Sequence, residues 1–143
     1  MNTVQHKCVF LLKTFESLAF LTVFALFPAS VWAGGVHVSD GDSLRIDGER
    51  IRLWGIDAPE LSQKCEKMGV AYDCGITARD ALVRQIGDTP ISCETVNTDR
   101  YGRTVARCFV CGKDLGGLMV RQGWALDYER YSRGHYKRDQ EYA

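Results

Sequence analysis

An Asp47-Gly48 pair stands between two short runs in which apolar and polar residues alternate, Leu44/Ile46 before it and Ile51/Leu53 after it. Residues of these two types accept the left-handed conformations of a tight turn, so the pair dictates an antiparallel hairpin. The turn also sets the register. Ile46 faces Glu49, Leu44 faces Ile51 and Ser43 faces Arg52, which puts an apolar pair on one face. Val36/Val38 carry the alternation upstream, and Asp57-Ala58-Pro59-Glu60 ends it downstream, because proline lacks the amide donor and restricts the residue before it. A polar loop is expected next.

From about Gly75 the apolar spacing changes to three and four: Ala78, Ala81, Leu82 and Ile86 share a helical face, with Gly87 as the stop. Ile91–Val96 and Thr104–Val110 read as strands joined by Asn97-Thr98-Asp99-Arg100-Tyr101-Gly102-Arg103, and antiparallel pairing about that connection sets Cys93 opposite Cys108. Asp114 is a natural N-cap for a short helix with Leu115, Leu118 and Met119 buried and Gly123 as its stop. Trp124–Tyr131 is aromatic and irregular, and Ser132 heads a last helix running through Tyr136 to the chain end. Short antiparallel strands with one helix inserted before the last hairpin predict an α+β domain, a five-stranded OB-like β-barrel with about three helices.

The first 33 residues differ from the rest. Lys7 and Lys13 precede an apolar run from Leu18 to Phe27, followed by Pro28-Ala29-Ser30-Val31-Trp32-Ala33, the pattern of a signal peptide cut after Ala33. The run is too short for a membrane-spanning helix. The mature chain is then residues 34–143, a single domain exported to the periplasm or the medium, with no membrane association. Losing Lys7, Lys13 and Glu16 leaves sixteen basic residues against seventeen acidic ones, which excludes a strongly basic nucleic-acid coat. The charge is uneven: Gly34–Asp99 is acidic and Arg100–Ala143 basic, an arrangement suited to a cation and a polyanion sharing one site.

Cys65, Cys74, Cys93, Cys108 and Cys111 remain after export, where disulfides are the expected use. The strand register favours Cys93–Cys108, and Cys65–Cys74 closes a small loop beside the helix, so this pairing is the most economical, with Cys111 left over. The competing Cys93–Cys111 pairing needs a three-residue register shift that would turn the strand's faces over.

Three clusters carry charged groups: Asp40-Gly41-Asp42-Ser43, Arg52-Leu53-Trp54-Gly55-Ile56-Asp57-Ala58-Pro59-Glu60, and Asp99-Arg100-Tyr101-Gly102-Arg103. Each alone reads as a turn, a strand exit or a solvated hairpin. In order and spacing, however, they resemble the signature of the staphylococcal nuclease family, and Val120-Arg121-Gln122-Gly123 matches that family's second helix. The resemblance covers essentially Val36–Ala143. It implies that Asp42 and Asp57 are carboxylate ligands of Ca²⁺, with the Ala58 backbone carbonyl as a third. Ala58 stands where the staphylococcal enzyme has Thr, a change that a carbonyl ligand survives. The resemblance further implies that Glu60 orients or deprotonates the attacking water and that Arg52 and Arg103 grip the scissile phosphate. The implied activity is Ca²⁺-dependent hydrolysis of DNA and RNA with little sequence preference, by a monomer.

The chemistry of the reaction asks for these groups. Phosphodiester hydrolysis builds negative charge on equatorial oxygens, which two guanidiniums and a divalent cation stabilise, while a carboxylate takes the proton of the water. The rival reading, a non-catalytic OB-type module for nucleic acid or oligosaccharide, is disfavoured because Asp42, Arg52, Asp57, Glu60 and Arg103 are all present. Tyr101, Tyr128 and Tyr131 are candidates for stacking on substrate sugars and bases, and Arg100 for steering the polyanion. In the simple hairpin register Arg52 points away from the face that Asp42 shares with Leu44 and Ile51, so the two meet only at a barrel mouth or across a bulge. The chain stops at Glu141-Tyr142-Ala143 inside the expected last helix, where members of the family usually continue, which points to a shortened C-terminus.

Overall fold

In the computed structural model, which describes residues 31–32 and 35–143, both residues of the Asp47-Gly48 turn are left-handed, with φ of 51° and 85°. The turn joins two of eleven strands: β1 (Val31–Trp32), β2 (Val36–Val38), β3 (Ser43–Ile46), β4 (Glu49–Leu53), β5 (Ile56–Asp57), β6 (Cys65–Lys67), β7 (Val70–Tyr72), β8 (Ile91–Thr98), β9 (Thr104–Val110), β10 (Lys113–Asp114) and β11 (Leu126–Asp127). Four helices complete the described structure: α1 (Cys74–Ile86), α2 (Leu115–Arg121), α3 (Glu129–Ser132) and α4 (Lys137–Tyr142). The expected leader, residues 1–33, lies outside the described residues except for Val31 and Trp32.

The hairpin register is the one its turn chemistry requires, with Ser43 opposite Arg52, Leu44 opposite Ile51 and Ile46 opposite Glu49. β2 adds antiparallel to β3, and β8 pairs antiparallel with β9, Cys93 opposite Cys108, with an irregularity between Thr95 and Asn97. What joins these two antiparallel units is a parallel pairing of β4 with β9, Ile51 opposite Thr104 and Leu53 opposite Ala106. The strand order is β1-β8-β9-β4-β3-β2, with β10 also on β9.

This order corrects the expected five-stranded closed barrel. Seven strands form one mixed sheet, and among the described residues no pairing carries β2 back to the other end, which closure requires. The three-residue β2 is met by α1 instead of by a further strand. The helix count also changes, because left-handed Arg133 (φ 54°) and Gly134 (φ 77°) split the expected last helix; Ser132, expected to cap it, closes α3 and is buried. The expected polar loop folds into a second hairpin, β6 with β7, turning at left-handed Met68 and Gly69. Its short strands are exposed on both faces, so no buried alternation marks them in the sequence.

The core lies between one face of the sheet and the helices. Leu44, Ile46, Ile51, Leu53, Ala106 and Cys108 from the sheet meet Leu82 of α1 and Leu115, Met119 and Val120 of α2, each at most 2% exposed. Full burial of such a side chain contributes about 1.5–3 kcal/mol. One polar network ties the C-terminus to this core. Asp114 accepts from the backbone N–H groups of Gly116 and Gly117 at the start of α2, from Arg107 at 2.9 Å, and from the hydroxyl of buried Tyr136 at 3.0 Å. Burial, reinforced by the neighbouring Asp114 carboxylate, pushes the Tyr136 hydroxyl well above the usual tyrosine range.

Cys65–Cys74 and Cys93–Cys108 are both disulfides. Cys111, left over in the expected pairing, is oxidised as well, which corrects that part of the expectation. Among the described residues no helix is long and apolar enough to cross a membrane.

Candidate active site

The turn into β3 presses against two other elements. A Cβ on Gly41 would lie 2.7 Å from the Ala58 Cβ and 2.9 Å from the Ala78 Cβ of α1, so only glycine lets the Asp40-Gly41-Asp42 backbone approach them. That contact seats Asp42 at the end of the hairpin, 1% exposed. Asp40 steadies it by accepting from the Asp42 N–H at 3.0 Å. The Asp42 carboxylate in turn accepts from Ser43 Oγ at 3.0 Å and from the Ala58 N–H at 2.9 Å, and it pairs directly with Arg52. Arg52 also donates to Asp57 Oδ1 at 3.1 Å and to the Ile56 carbonyl at 3.3 Å. One guanidinium therefore bridges the two carboxylates. The two meet although simple alternation parts them, because Asp42 lies just before β3, outside its alternation, and its carbonyl accepts from the Leu53 N–H at 2.8 Å beside the last hairpin pair, Ser43/Arg52.

Burial pushes the Asp42 carboxyl up to about 7, with Asp40 adding to the rise, while Arg52 and the Ala58 N–H oppose it. Asp57 is different, with its side chain 60% exposed and open to solvent. Carboxylate and carbonyl oxygens are the donor type a hard divalent cation takes, and here Asp42 and Asp57 bond the two terminal nitrogens of one guanidinium, with the Ile56 carbonyl accepting from it as well. Among the described residues no cluster of three or more His, Cys, Asp or Glu side chains is placed to hold a metal, so a cation here depends on the pair, backbone oxygen and water.

Beside Arg52 opens a cavity of about 520 Å³ lined by Arg100, Tyr101, Arg103, Arg130, Tyr128 and Tyr131 among others. Parallel pairing of β4 with β9 brings this about, since it sets Arg52 opposite Val105, two residues from Arg103. The 99–103 turn is organised by Asp99, which accepts from the Tyr101 N–H at 2.9 Å and the Arg103 N–H at 3.0 Å and pairs with Arg103 Nε at 2.7 Å. Partial burial raises the Asp99 carboxyl, but these donors outweigh it and hold the group below the usual aspartate range. Arg100 lies 4.7 Å from the centre of the Tyr101 ring, and Tyr128 and Tyr131 pack edge to face at 4.9 Å. Tyr101 and Tyr131 are more than half exposed, with Arg100 over the Tyr101 ring and Arg130 over the Tyr131 ring.

The structure thus joins Asp42, Arg52, Asp57 and Ala58 in one hydrogen-bonded cluster and sets Arg103, Arg100 and the three tyrosines around the adjoining cavity. Glu60 stands apart from both. It is exposed, its N–H donates to Gln63 Oε1 at 3.3 Å, and it is held by Gly75, where a Cβ would run into the Glu60 carbonyl oxygen. Gly41, Gly75 and Asp99 shape the site without being singled out by sequence. Gly41 and Asp99 lie inside the recognised clusters, whereas nothing local distinguishes Gly75 from any glycine at a helix start.

Residues 50–143 match a family model described as staphylococcal nuclease homologue. The chain is 38% identical over 113 residues to the succinoglycan biosynthesis protein ExoI of Rhizobium meliloti (strain 1021), covering 77% of this chain and 59% of that protein. It is 29% identical over 143 residues to protein ParB of Escherichia coli, covering 91% and 76% respectively. To the probable staphylococcal-like nuclease CAN1 of Oryza sativa subsp. japonica it is 31% identical over 91 residues, covering 64% of this chain and 25% of that protein. The chain therefore spans less than two thirds of the first and the third of these relatives.

Proposed function

The chain belongs to the family of staphylococcal nuclease homologues, and from that premise we propose that it is an exported, Ca²⁺-dependent phosphodiesterase acting on DNA and RNA with little sequence preference. The observation that carries this reading is the convergence of Asp42, Asp57 and Arg52 at the edge of an arginine- and tyrosine-lined cavity. Asp42, Asp57 and the Ala58 carbonyl would hold the cation. Bound there, Ca²⁺ supplies positive charge that polarises water and a phosphate oxygen. Arg52 and Arg103 donate hydrogen bonds to the phosphate as its equatorial oxygens gain charge, using planar guanidiniums that match two oxygens at once. Glu60 accepts the proton of the attacking water; its exposure leaves it free to swing toward the reacting phosphate. Tyr101, Tyr128 and Tyr131 offer ring faces to sugars and bases of any sequence, and Arg100 adds attraction for the polyanion.

Export is supported by the leader-like residues 1–33 and by the disulfides, which persist in oxidising compartments. Cleavage after Ala33 would remove β1 and leave β8 as the edge of the sheet. The working form is read as a monomer whose partners are its nucleic-acid substrates. The test is incubation of the folded chain with plasmid and with RNA, in Ca²⁺ and in chelator. Calcium-dependent cleavage of both is expected; a folded sample that cleaves neither would sink the proposal.

A further inference from the structure

A second cavity, of about 280 Å³, adjoins the candidate active site and shares Asp57 and Ala58 with it, while the rest of its wall takes no part in the chemistry described so far. The two cavities share no lining residue. The β5–β11 pair is the ridge between them: Ile56 and Tyr128 line the first, Asp57 and Leu126 the second. Their walls differ in kind. Arg52, Arg100, Arg103 and Arg130 line the first, whereas no Lys or Arg lines the second, which is formed by Tyr72, Trp124, Leu126, Gln63, Ala58 and the Cys65–Cys74 bridge among others. Leu126 is 63% exposed and Tyr72 38%, so apolar surface faces solvent here. The disulfide ties the β6–β7 hairpin to the start of α1, and Tyr72 stands opposite the bridged Cys65 in that hairpin.

A strand whose phosphate sits at the Asp42/Asp57/Arg52 cluster runs on in both directions from it. On one side the arginines suit its phosphates. On the other, an aromatic and amide-lined pocket without a cation suits a heterocycle. We infer that this second cavity is a nucleobase subsite for the same strand, with Tyr72 and Trp124 as its stacking surface and Gln63 as its hydrogen-bonding edge. The inference rests on the proposed function for its substrate class and adds to it a length requirement: the enzyme grips a nucleotide on each side of the ridge.

Calorimetric titration in calcium-free buffer with chelator tests this, using octathymidylate as the long probe and thymidine monophosphate as the short one. Tyr72→Ala is expected to weaken octathymidylate binding about tenfold, the order of one base–aromatic stack, to leave thymidine monophosphate binding unchanged, and to be rescued by Tyr72→Phe. Octathymidylate affinity equal to wild type in Tyr72→Ala, an equal loss for both probes, or no octathymidylate binding by wild type would overturn the subsite. Cleavage assays on the same preparations separate this from the proposed function. Wild-type protein that cleaves nothing yet shows the probe contrast removes the activity and keeps the subsite. Normal cleavage with unaltered Tyr72→Ala binding removes the subsite and keeps the activity.

Discussion

Asp42 and Asp57 flank the same guanidinium, but their surroundings differ so much that the same substitution should have different consequences at each. Asp42 is buried with Ser43, Arg52 and Ala58 as donors, so Asp42→Ala takes that acceptor from the Ser43 hydroxyl and the Ala58 N–H, while Arg52 keeps Asp57 and the Ile56 carbonyl, and should cost about 1–3 kcal/mol in urea unfolding. Asp57 is largely exposed, and Asp57→Ala should cost under about 1 kcal/mol. Both variants should lose calorimetric Ca²⁺ binding. A folded Asp57→Ala protein with wild-type affinity would remove that residue from the cation site. Arg103→Ala and Arg52→Ala should each lower kcat by roughly 10²–10³, since a donor to the developing charge is lost where it is felt mainly in the transition state. Glu60→Gln should lower kcat and change the pH–rate profile, and near-normal turnover in all three would overturn the proposed roles. Gly75→Ala tests the scaffold behind Glu60. Its Cβ collides with backbone, which cannot rotate away, so the variant should lose roughly 1–3 kcal/mol and lower kcat without altering Ca²⁺ binding.

At the level of elements, α2 depends on a cap that also holds the chain's last turn. Asp114→Ala removes the acceptor for two α2 amides, for Arg107 and for Tyr136, and should lower the melting temperature by more than an exposed cap would, with a cost of about 2 kcal/mol. The Tyr136 hydroxyl gives this network a pH signature. Its folded pKa lies above the unfolded value near 10, so its contribution is complete below pH 10 and is lost as pH rises beyond it, where the unfolded chain sheds that proton first. Unfolding free energies between pH 9 and 11 should therefore fall more steeply for wild type than for Tyr136→Phe; parallel curves would show that Tyr136 does not titrate in this way. Elements whose signals are local were legible in the sequence: the Asp47-Gly48 turn, the Asp114 cap, the α1 face and the Cys93/Cys108 register all need only neighbours in the chain. The cysteine reading extended correctly to Cys65–Cys74. Illegible were the features set by distant partners or by weak signals: the parallel β4–β9 pairing, the exposed β6–β7 hairpin, and the break at Arg133-Gly134. Of the site, the residue types and their order could be read, but the bridging of Asp42 and Asp57 by Arg52 could not, because Asp42 lies just before β3, where strand alternation no longer governs it.

Taken as a whole, the molecule is two antiparallel units fastened by one parallel seam and stapled by cystines. Replacing Cys93 and Cys108 together by Ala should lower global stability by about 3 kcal/mol, the loop-closure value for a bridge of this span, with the loss read from the urea midpoint. Replacing Cys65 and Cys74 should instead loosen the hairpin locally, and hydrogen exchange should rise at residues 65–72 with the strands of the large sheet still protected. The seam has a kinetic meaning. Each unit closes over a short loop, but β4 and β9 pair residues as far apart as Ile51 and Thr104 and must wait for a much larger closure. Only that closure brings Arg52 alongside β9, the strand that follows directly on Arg103. A refolding chain caught before it would show nearly native circular dichroism with both hairpins in place but not yet the proposed site, so the return of the proposed activity is expected to lag the return of secondary structure, and simultaneous recovery would show that the seam does not form last.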